Sequence, residues 1–125
     1  MTAIIKTGID MIEIERVGDS IQQHGVRFLN RIFTPMELED CKGNVNSLAV
    51  RFAAKEAAAK TLGCGIGKVS WKDIEVIRNS NRQPELALHG AAAELAKLMR
   101  LTFWSISLSH TKQNAIAVVI ASGED

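Results

Sequence analysis

The stretch RFAAKEAAAKTLG, residues 51–63, constrains the fold more strongly than any other part of the chain. Alanine has the highest helix propensity, so this alanine-rich run without proline predicts a helix that ends at Gly63. Small side chains let neighbouring backbone approach closely, which indicates a helix packed inside the fold. Little of its surface is polar, so a carboxylate such as Glu56 needs a partner there.

For the rest of the chain, the sequence predicts short strands and helices that alternate irregularly. The predicted strands are Ala3–Ile9, which ends at Asp10, then Asp73–Arg78, Glu85–His89, Phe103–Leu108 and Ala115–Ala121. Helices are predicted to begin at Glu13, at Pro35 within a T-x-x-E capping box, at Ser47 and at Ala91. The sequence leaves open whether the first of these helices is broken near Gly25. Because no regular βαβ repeat is present, the pattern favours an α+β fold.

Length and composition restrict the class of protein. The 125 residues suit a single domain, 1–125, and so short a chain leaves much surface, which makes self-association plausible. Fifteen basic and fourteen acidic residues nearly cancel, unlike a typical nucleic-acid-binding protein. We expect no signal peptide and no membrane span. Cys41 and Cys64 form no CxxC motif, which predicts reduced thiols in a cytoplasmic protein.

Glu56 and Lys60 are four residues apart and share one helix face. An exposed ion pair at this spacing is common and stabilises a helix by about 0.2–0.5 kcal/mol. Alternatively, Glu56 and Asp10 supply the two carboxylates that Mg²⁺ takes from a protein beside substrate phosphates, and Lys60 neutralises a phosphate. Asp10 also fits the role of an ordinary loop acid. The residues alone leave both interpretations open.

Ser109-His110-Thr111 falls in a predicted turn, Ser109 to Asn114, between the last two strands. Side chains in such turns are exposed and available for binding. An incidental histidine is the alternative. Without a nucleophile elbow or a Ser-His-Asp order, Ser109 is not expected to be a nucleophile.

Three arginines, Arg16, Arg27 and Arg31, lie near one face of the first helix if that helix runs unbroken. A solvated helix face is the simple interpretation. The functional alternative is a docking patch for an acidic protein, because complementary charge speeds and orients association.

Together these features resemble one known family, the holo-acyl-carrier-protein synthases, which are small phosphopantetheinyl transferases. The resemblance runs from about Ile4 to Ile120. It rests on these segments, which occur in the family's order: Gly8-Ile9-Asp10, Phe33-Thr34 with Glu37, Arg51 to Ala57 with Lys60, Asp73 to Val76, and Ser107 to Thr111.

The resemblance implies a phosphopantetheinyl transferase fold, with an antiparallel sheet packed against a long helix, and a homotrimer with sites between subunits. It implies Mg²⁺-dependent transfer of 4′-phosphopantetheine from coenzyme A to a serine of apo acyl carrier protein, with release of adenosine 3′,5′-bisphosphate. Fatty acid biosynthesis is the process it suggests, and a secondary pathway remains open. Two rivals are a small Mg²⁺-dependent phosphohydrolase and a non-catalytic trimeric binding module.

The same resemblance assigns site residues. Asp10 and Glu56 match the metal carboxylates, and Lys60 matches the lysine that contacts the phosphates. The nucleotide end of coenzyme A would be held by Arg51, His110 and Thr111, while Arg16 and Arg27 match positions on the helix that receives the carrier protein. Arg31 joins this predicted docking patch because it lies near the same helix face. Either Glu56 or a metal-bound water could accept the proton of the serine hydroxyl.

One departure from the family concerns a turn. Where the family usually shows Asn-Gly-Lys-Pro in the hairpin turn, this chain has Asn81-Arg82-Gln83-Pro84. A second departure is Asn114, at a position where the family often has an aromatic residue. Neither change touches Asp10, Glu56 or Lys60.

Overall fold

The structure is a computed structural model that describes residues 2–125. Within this range the strands are β1 (Ala3–Glu13), β2 (Ile74–Arg78), β3 (Pro84–Leu88), β4 (Phe103–His110) and β5 (Asn114–Glu124). The helices are α1 (Ile14–His24), α2 (Val26–Ile32), α3 (Pro35–Cys41), α4 (Val45–Thr61) and α5 (Gly90–Leu98). The predicted α+β class is confirmed. None of the helices within residues 2–125 combines the length and the apolar character needed to cross a bilayer.

A three-stranded antiparallel sheet, in the order β1-β5-β4, supports helix α4. Side chains alternate across a strand, so the sheet turns one face toward the helix. Small residues line both sides of this contact. From β5 they are Ala115, Ala117, Val119 and Ala121, and from α4 they are Ala53, Ala54, Ala57, Ala58 and Ala59, all fully buried. The alanines of residues 51–63 therefore lie inside the fold, as their composition predicts.

Gly8 sets the distance between β1 and α4. A Cβ atom at this position would fall on the carbonyl oxygen of Ala57 and on the hydroxyl of Thr61. The Thr61 hydroxyl already donates to that carbonyl at 2.8 Å, so neither atom can move away freely. Only glycine permits this close approach, and the approach brings the residues that follow Gly8 to the side of α4.

The predicted capping box at the start of α3 is present. The Thr34 hydroxyl accepts from the Glu37 amide at 3.2 Å, and the Thr34 amide donates to Glu37 Oε1 at 2.9 Å. Glu37 Oε1 also accepts from Lys55 Nζ at 2.7 Å, and both side chains are fully buried. The cap of one helix is thereby joined to the middle of α4.

Three predicted strand ends are wrong, and one of them is that of β5, which continues past Ala121 to Glu124. β1 does not end at Asp10 but continues to Glu13, because β5 pairs with it along its whole length. β4 likewise continues past Leu108, so Ser109 and His110 belong to this strand and only Thr111 to Gln113 form the connection to β5. Pairing with a long central strand overrides the polar residues that suggested turns.

The structure decides one alternative that the sequence left open in the first helix, and one predicted helix cap is wrong. The chain breaks at Gly25, which has φ 53° and ψ −128°, a conformation that glycine adopts readily. Arg16 therefore lies on α1 while Arg27 and Arg31 lie on α2, so the single continuous face does not exist. The N-cap of α4 is Asn44 rather than Ser47, since the Asn44 side chain accepts from the Ser47 amide at 3.0 Å.

We predict that Gly8→Ala lowers the free energy of unfolding by about 3 kcal/mol, the upper part of the usual range for overpacking, because the clash is with backbone. Gly18→Ala is the matched control. It lies inside α1 with only Val45 Cγ2 near its missing methyl, at 3.7 Å, and should gain about 0.5–1 kcal/mol from helix propensity. Urea unfolding at one fixed protein concentration measures the free energy of unfolding of both variants. Equal stability of the Gly8→Ala protein and the wild type would contradict the prediction.

Candidate active site

Asp10 and Lys60 meet where β1 passes α4. Lys60 Nζ donates to Asp10 Oδ1 at 3.0 Å and to the carbonyl oxygen of Ile9 at 3.0 Å. The Asp10 side chain is 17% exposed and that of Lys60 is 53% exposed. In the described part of the chain, Lys60 thus forms its ion pair across the β1–α4 contact, not with Glu56 one turn earlier. The helical i,i+4 pair is therefore not the arrangement adopted.

The side chain of Glu56 lies in the same region as that of Asp10. Both line a cleft of about 420 Å³ whose walls include Arg16, Phe28 and Phe52. Burial raises the pKa of Glu56, the negative charge of Asp10 raises it further, and Lys60 opposes the rise. Two carboxylates therefore face one cleft closely enough to repel each other, and a cation between them would relieve that repulsion.

The donor set fits a hard divalent cation that also binds a substrate. Residues 2–125 contain no group of three or more His, Cys, Asp or Glu that could hold a metal ion by themselves. Mg²⁺ does not require such a group, because it usually takes one or two carboxylates and completes its octahedron with water and phosphate oxygens. Asp10 and Glu56 are the residues that could hold it.

A second cavity, of about 350 Å³, lies beside the start of α4. Arg51 and His110 both line it, so the structure brings these two predicted residues together. Arg51 is 2% exposed, and its Nη1 donates to the carbonyl oxygen of Ser47 at 3.2 Å. Its Nε is buried and has no hydrogen-bond partner among residues 2–125. A guanidinium group that lines a cavity beside a histidine is suited to an anionic ligand.

Thr111 does not lie where the sequence predicts it, in one cavity with Arg51 and His110. It is not among the described residues that line the cavity of Arg51 and His110. Its hydroxyl oxygen accepts from the amides of Gln113 and Asn114 at 3.2 and 3.0 Å, and its carbonyl oxygen lies 3.1 Å from His110 Nδ1. Thr111 therefore shapes the β4–β5 connection, and its carbonyl oxygen lies beside the His110 ring.

Sequence reasoning missed several residues of the second cavity. Arg78 and Arg82 come from the hairpin β2–β3, and Asn44, Asn46 and Ser47 come from the start of α4. Periodicity gave no signal for them, because they belong to a strand end, a turn and a helix cap. The one available signal was the variant turn at Asn81 to Pro84, which contains Arg82.

The three arginines expected to receive a partner divide into two groups. Arg16 lines the cleft of Asp10 and Glu56. Arg27 and Arg31 lie four residues apart on α2 and are exposed. The structure thus places one arginine beside the carboxylates and two on the adjacent helix.

Comparison with known proteins identifies the family of this chain. The sequence model of the family described as "4'-phosphopantetheinyl transferase superfamily" matches residues 6–119. A holo-[acyl-carrier-protein] synthase of Herpetosiphon aurantiacus is 42% identical over 96% of this chain and 100% of its own length. The corresponding protein of Koribacter versatilis is 46% identical over 94% of this chain and 97% of its own length.

Comparison with solved structures identifies the same family. The holo-[acyl-carrier-protein] synthase of Helicobacter pylori, in complex with coenzyme A, superposes with a TM-score of 0.84 at 34% identity and covers 92% of this chain and 98% of its own. The enzyme of Neisseria meningitidis gives a TM-score of 0.84 at 34% identity, with 93% and 96% covered. The chain therefore belongs to the 4′-phosphopantetheinyl transferase superfamily, as a phosphopantetheinyl transferase of the holo-[acyl-carrier-protein] synthase type.

Proposed function

We propose that this enzyme transfers 4′-phosphopantetheine from coenzyme A to a serine hydroxyl of apo acyl carrier protein and releases adenosine 3′,5′-bisphosphate, with Mg²⁺ as cofactor. The observation that carries the proposal is the meeting of Asp10, Glu56 and Lys60 at the β1–α4 contact, with both carboxylates facing one cleft. Phosphoryl transfer requires mainly positioning and charge neutralisation, which these side chains supply.

Each charged side chain has a distinct role in this reaction. Asp10 and Glu56 would hold Mg²⁺, which when bound neutralises charge on the diphosphate. Lys60, whose side chain is half exposed and held by Asp10 and the Ile9 carbonyl, would bind a phosphate oxygen. The Glu56 carboxylate, which lines the same cleft, would also accept the proton of the attacking serine.

The remaining site residues hold the two substrates. Arg51 and His110 line the second cavity and would bind the nucleotide end of coenzyme A, with Thr111 orienting His110. Arg16, beside the carboxylates, and Arg27 and Arg31, on α2, would receive an acidic carrier protein. The carrier of fatty acid biosynthesis is the partner we propose, and the cytoplasm is the compartment, which suits the two free cysteines.

We also propose a homotrimer, and the sheet supports self-association. The side chains of β1 and β5 that point away from α4 form an apolar surface, which includes Ile5, Ile9, Met11 and Ile120 at 67, 60, 63 and 45% exposure. An exposed contiguous apolar patch of this kind marks an interface. A second and third copy of the chain would cover it, and the number three rests on the family.

The first test is the intact mass of apo acyl carrier protein after incubation with this enzyme, coenzyme A and Mg²⁺, with EDTA as control. We expect a gain of one phosphopantetheine that EDTA abolishes. Release of free phosphate from the substrate without modification of the carrier would instead identify a hydrolase. Binding of coenzyme A without any product, across a panel of carrier proteins, would identify a non-catalytic module.

Glu56→Gln should lower transfer by roughly two to three orders of magnitude, the usual loss when one group that stabilises transition-state charge is removed. It should also raise the melting temperature in EDTA at pH 7, since glutamine avoids the cost of a half-buried carboxylate beside Asp10. Glu94→Gln, on α5, is the exposed control and should change neither quantity.

The stability effect of Glu56→Gln has a defined pH dependence. The folded-state pKa of Glu56 lies above its unfolded value, so ionisation destabilises the fold as pH rises through that pKa. The advantage of glutamine should therefore be greatest at neutral pH and vanish below the ordinary glutamate pKa of about 4.3. Added Mg²⁺ should raise the melting temperature of the wild type but not of the variant, and an equal rise in both would contradict the metal role.

Ile120→Lys places a charge in the middle of the apolar sheet face and should dissociate the trimer into single chains with loss of transfer. Leu98→Lys is the matched control, because Leu98 is 80% exposed but lies on α5, away from this face. Light scattering after size exclusion gives the mass of each protein. A wild type that is a single chain while fully active would refute the assembly.

A further inference from the structure

Glu75, which has no role in the proposed mechanism, has both carboxylate oxygens bound by side chains of other elements. Its Oε1 lies 3.0 Å from His89 Nε2, and its Oε2 accepts from the hydroxyl of Thr34. The Glu75 side chain is 12% exposed, whereas that of His89 is 53% exposed. One carboxylate of β2 therefore joins the N-cap of α3, which is Thr34, to the N-cap of α5, which is His89.

Both partners of Glu75 are themselves held in place. Thr34 belongs to the capping box, in which its hydroxyl accepts from the Glu37 amide and its amide donates to Glu37 Oε1. The amide of His89 donates to the carbonyl oxygen of Asp73 at 2.7 Å, so the backbone that carries the imidazole is also bound. A carboxylate between two such partners is kept in one orientation.

The base of the hairpin β2–β3 is anchored at three consecutive residues, of which Glu75 is the middle one. The carbonyl oxygen of Ile74 accepts from Lys55 Nζ. The amide of Val76 donates to Glu37 Oε2 at 2.9 Å. These two anchors hold the backbone of β2, so Glu75 supplies the anchor that comes from a side chain of the hairpin itself.

Beyond this base, the hairpin has no strand pairing to the large sheet. The strands β2 and β3 form a sheet of their own, and β3 and β4 are not paired within residues 2–125. A cavity of about 590 Å³ separates their edges and is lined by Pro84 to Leu86 on one side and Trp104 to Leu108 on the other. The orientation of the hairpin therefore depends on its anchored base.

The far end of the hairpin forms one wall of the second cavity. Arg78, the last residue of β2, and Arg82, in the turn, both line that cavity. Arg78 is three residues beyond Glu75, which corresponds to about 10 Å at roughly 3.3 Å per residue. A small rotation of the base is carried along this length, and a displacement of about 1 Å in a positioned group can impair an active site severely.

Glu75 also keeps the charge state that this junction requires. Burial alone would raise the pKa of its carboxyl, but the hydrogen bonds from Thr34 and His89, together with the charges of His89 and Lys55, outweigh burial and hold the pKa below the ordinary glutamate range. An ionised carboxylate accepts on both oxygens, so it can bind two donors from two elements at once.

We infer that Glu75 is a positioning residue for coenzyme A, which sets the tilt of the hairpin β2–β3 through Thr34 and His89 and thereby the width of the second cavity. Glu75 is not among the residues of the described chain that line the second cavity or the cleft of the carboxylates. It therefore acts through the hairpin and not by contact with substrate. The inference rests on the proposed function for the identity of the ligand in the second cavity.

The test removes this junction and compares it with an exposed carboxylate of the same hairpin. Glu75→Ala abolishes both contacts. Glu75→Gln is the conservative variant, because its amide can accept from Thr34 and donate to an uncharged His89. Glu85→Ala is the matched control, since Glu85 is exposed on β3 and its side chain accepts from Asn79 of the same hairpin.

Transfer is measured at about pH 8, where histidine is ordinarily uncharged, with coenzyme A and carrier protein varied in turn. Titration calorimetry gives the Kd of coenzyme A, and melting temperatures show that each variant folds. Glu75→Ala should raise the KM and Kd of coenzyme A on the order of tenfold and leave kcat and the KM of the carrier unchanged. Glu75→Gln should restore most of the affinity, and Glu85→Ala should match the wild type.

A second variant keeps the test open if Glu75→Ala does not fold. His89→Ala removes one of the two contacts from a half-exposed side chain, so it should fold and raise the same KM and Kd by a smaller factor. Unchanged constants for coenzyme A in His89→Ala would then overturn the inference.

Three results in the Glu75 variants would also overturn it. A lower melting temperature of Glu75→Ala with unchanged constants for coenzyme A would show a purely structural role. An equal rise in the KM of the carrier would show a general loosening of the enzyme. Equal losses in Glu75→Gln and Glu75→Ala would show that charge, and not orientation, is what matters.

Failure of the proposed transfer is distinguishable from failure of this inference. A wild type that binds coenzyme A but modifies no carrier protein would refute the transfer. The Kd values of the wild type, Glu75→Ala and Glu75→Gln would still decide the role of Glu75, because they do not depend on turnover.

Discussion

The buried ion pair between Lys55 and Glu37 is the interaction on which the rest of the structure depends. Both side chains are fully buried, and their charged atoms are 2.7 Å apart. Lys55 Nζ also donates to the carbonyl oxygens of Trp71 and Ile74, and Glu37 Oε2 accepts from the amide of Val76 at 2.9 Å. One pair thus joins α3, α4 and β2. Burial lowers the pKa of Lys55 and Glu37 opposes that change, so loss of either partner would leave an uncompensated charge at a cost of about 3–5 kcal/mol.

This pair matters for chemistry because it fixes the rotation of α4. With 100° between successive residues, positions 51 and 55 lie about 40° apart, and so do positions 52 and 56 and positions 56 and 60. Anchoring Lys55 toward α3 and the hairpin therefore turns Arg51 toward the hairpin arginines and leaves Glu56 and Lys60 facing β1. The alanines between them keep the helix thin enough for β1 to approach closely, and a Cβ atom at Gly8 would clash with the backbone of α4 at this contact.

The sequence carried much of this arrangement in its local patterns. The capping box at Thr34, the packed alanine helix and the α+β class could be predicted because propensity, capping and hydrophobic period agree there. The extent of β1 could not, because β5 determines it through pairing across more than a hundred residues of chain. The extent of β4 could not either, because the polar residues at its end favour a turn, and only pairing with β5 shows that they belong to the strand. The approach of Asp10 to Lys60 also could not be derived from spacing alone, since it depends on Gly8. Arg82 was hidden for a different reason: a turn residue shows its left-handed conformation only once the hairpin closes.

The helix geometry also bears on the assembly that we propose. Arg51 and Glu56 lie about 140° apart around α4 and about 7.5 Å apart along it, and among the described residues their two cavities share no lining side chain. A ligand with an anionic end for the arginines and a diphosphate for the carboxylates would have to wrap around this helix to reach both in one chain. A neighbouring copy removes that requirement, because it can present its arginine cavity beside the carboxylates of the first. The apolar face of the sheet would provide the contact that holds such a copy in place. The association that we propose would therefore account for both the separation of the two cavities and the exposed sheet face.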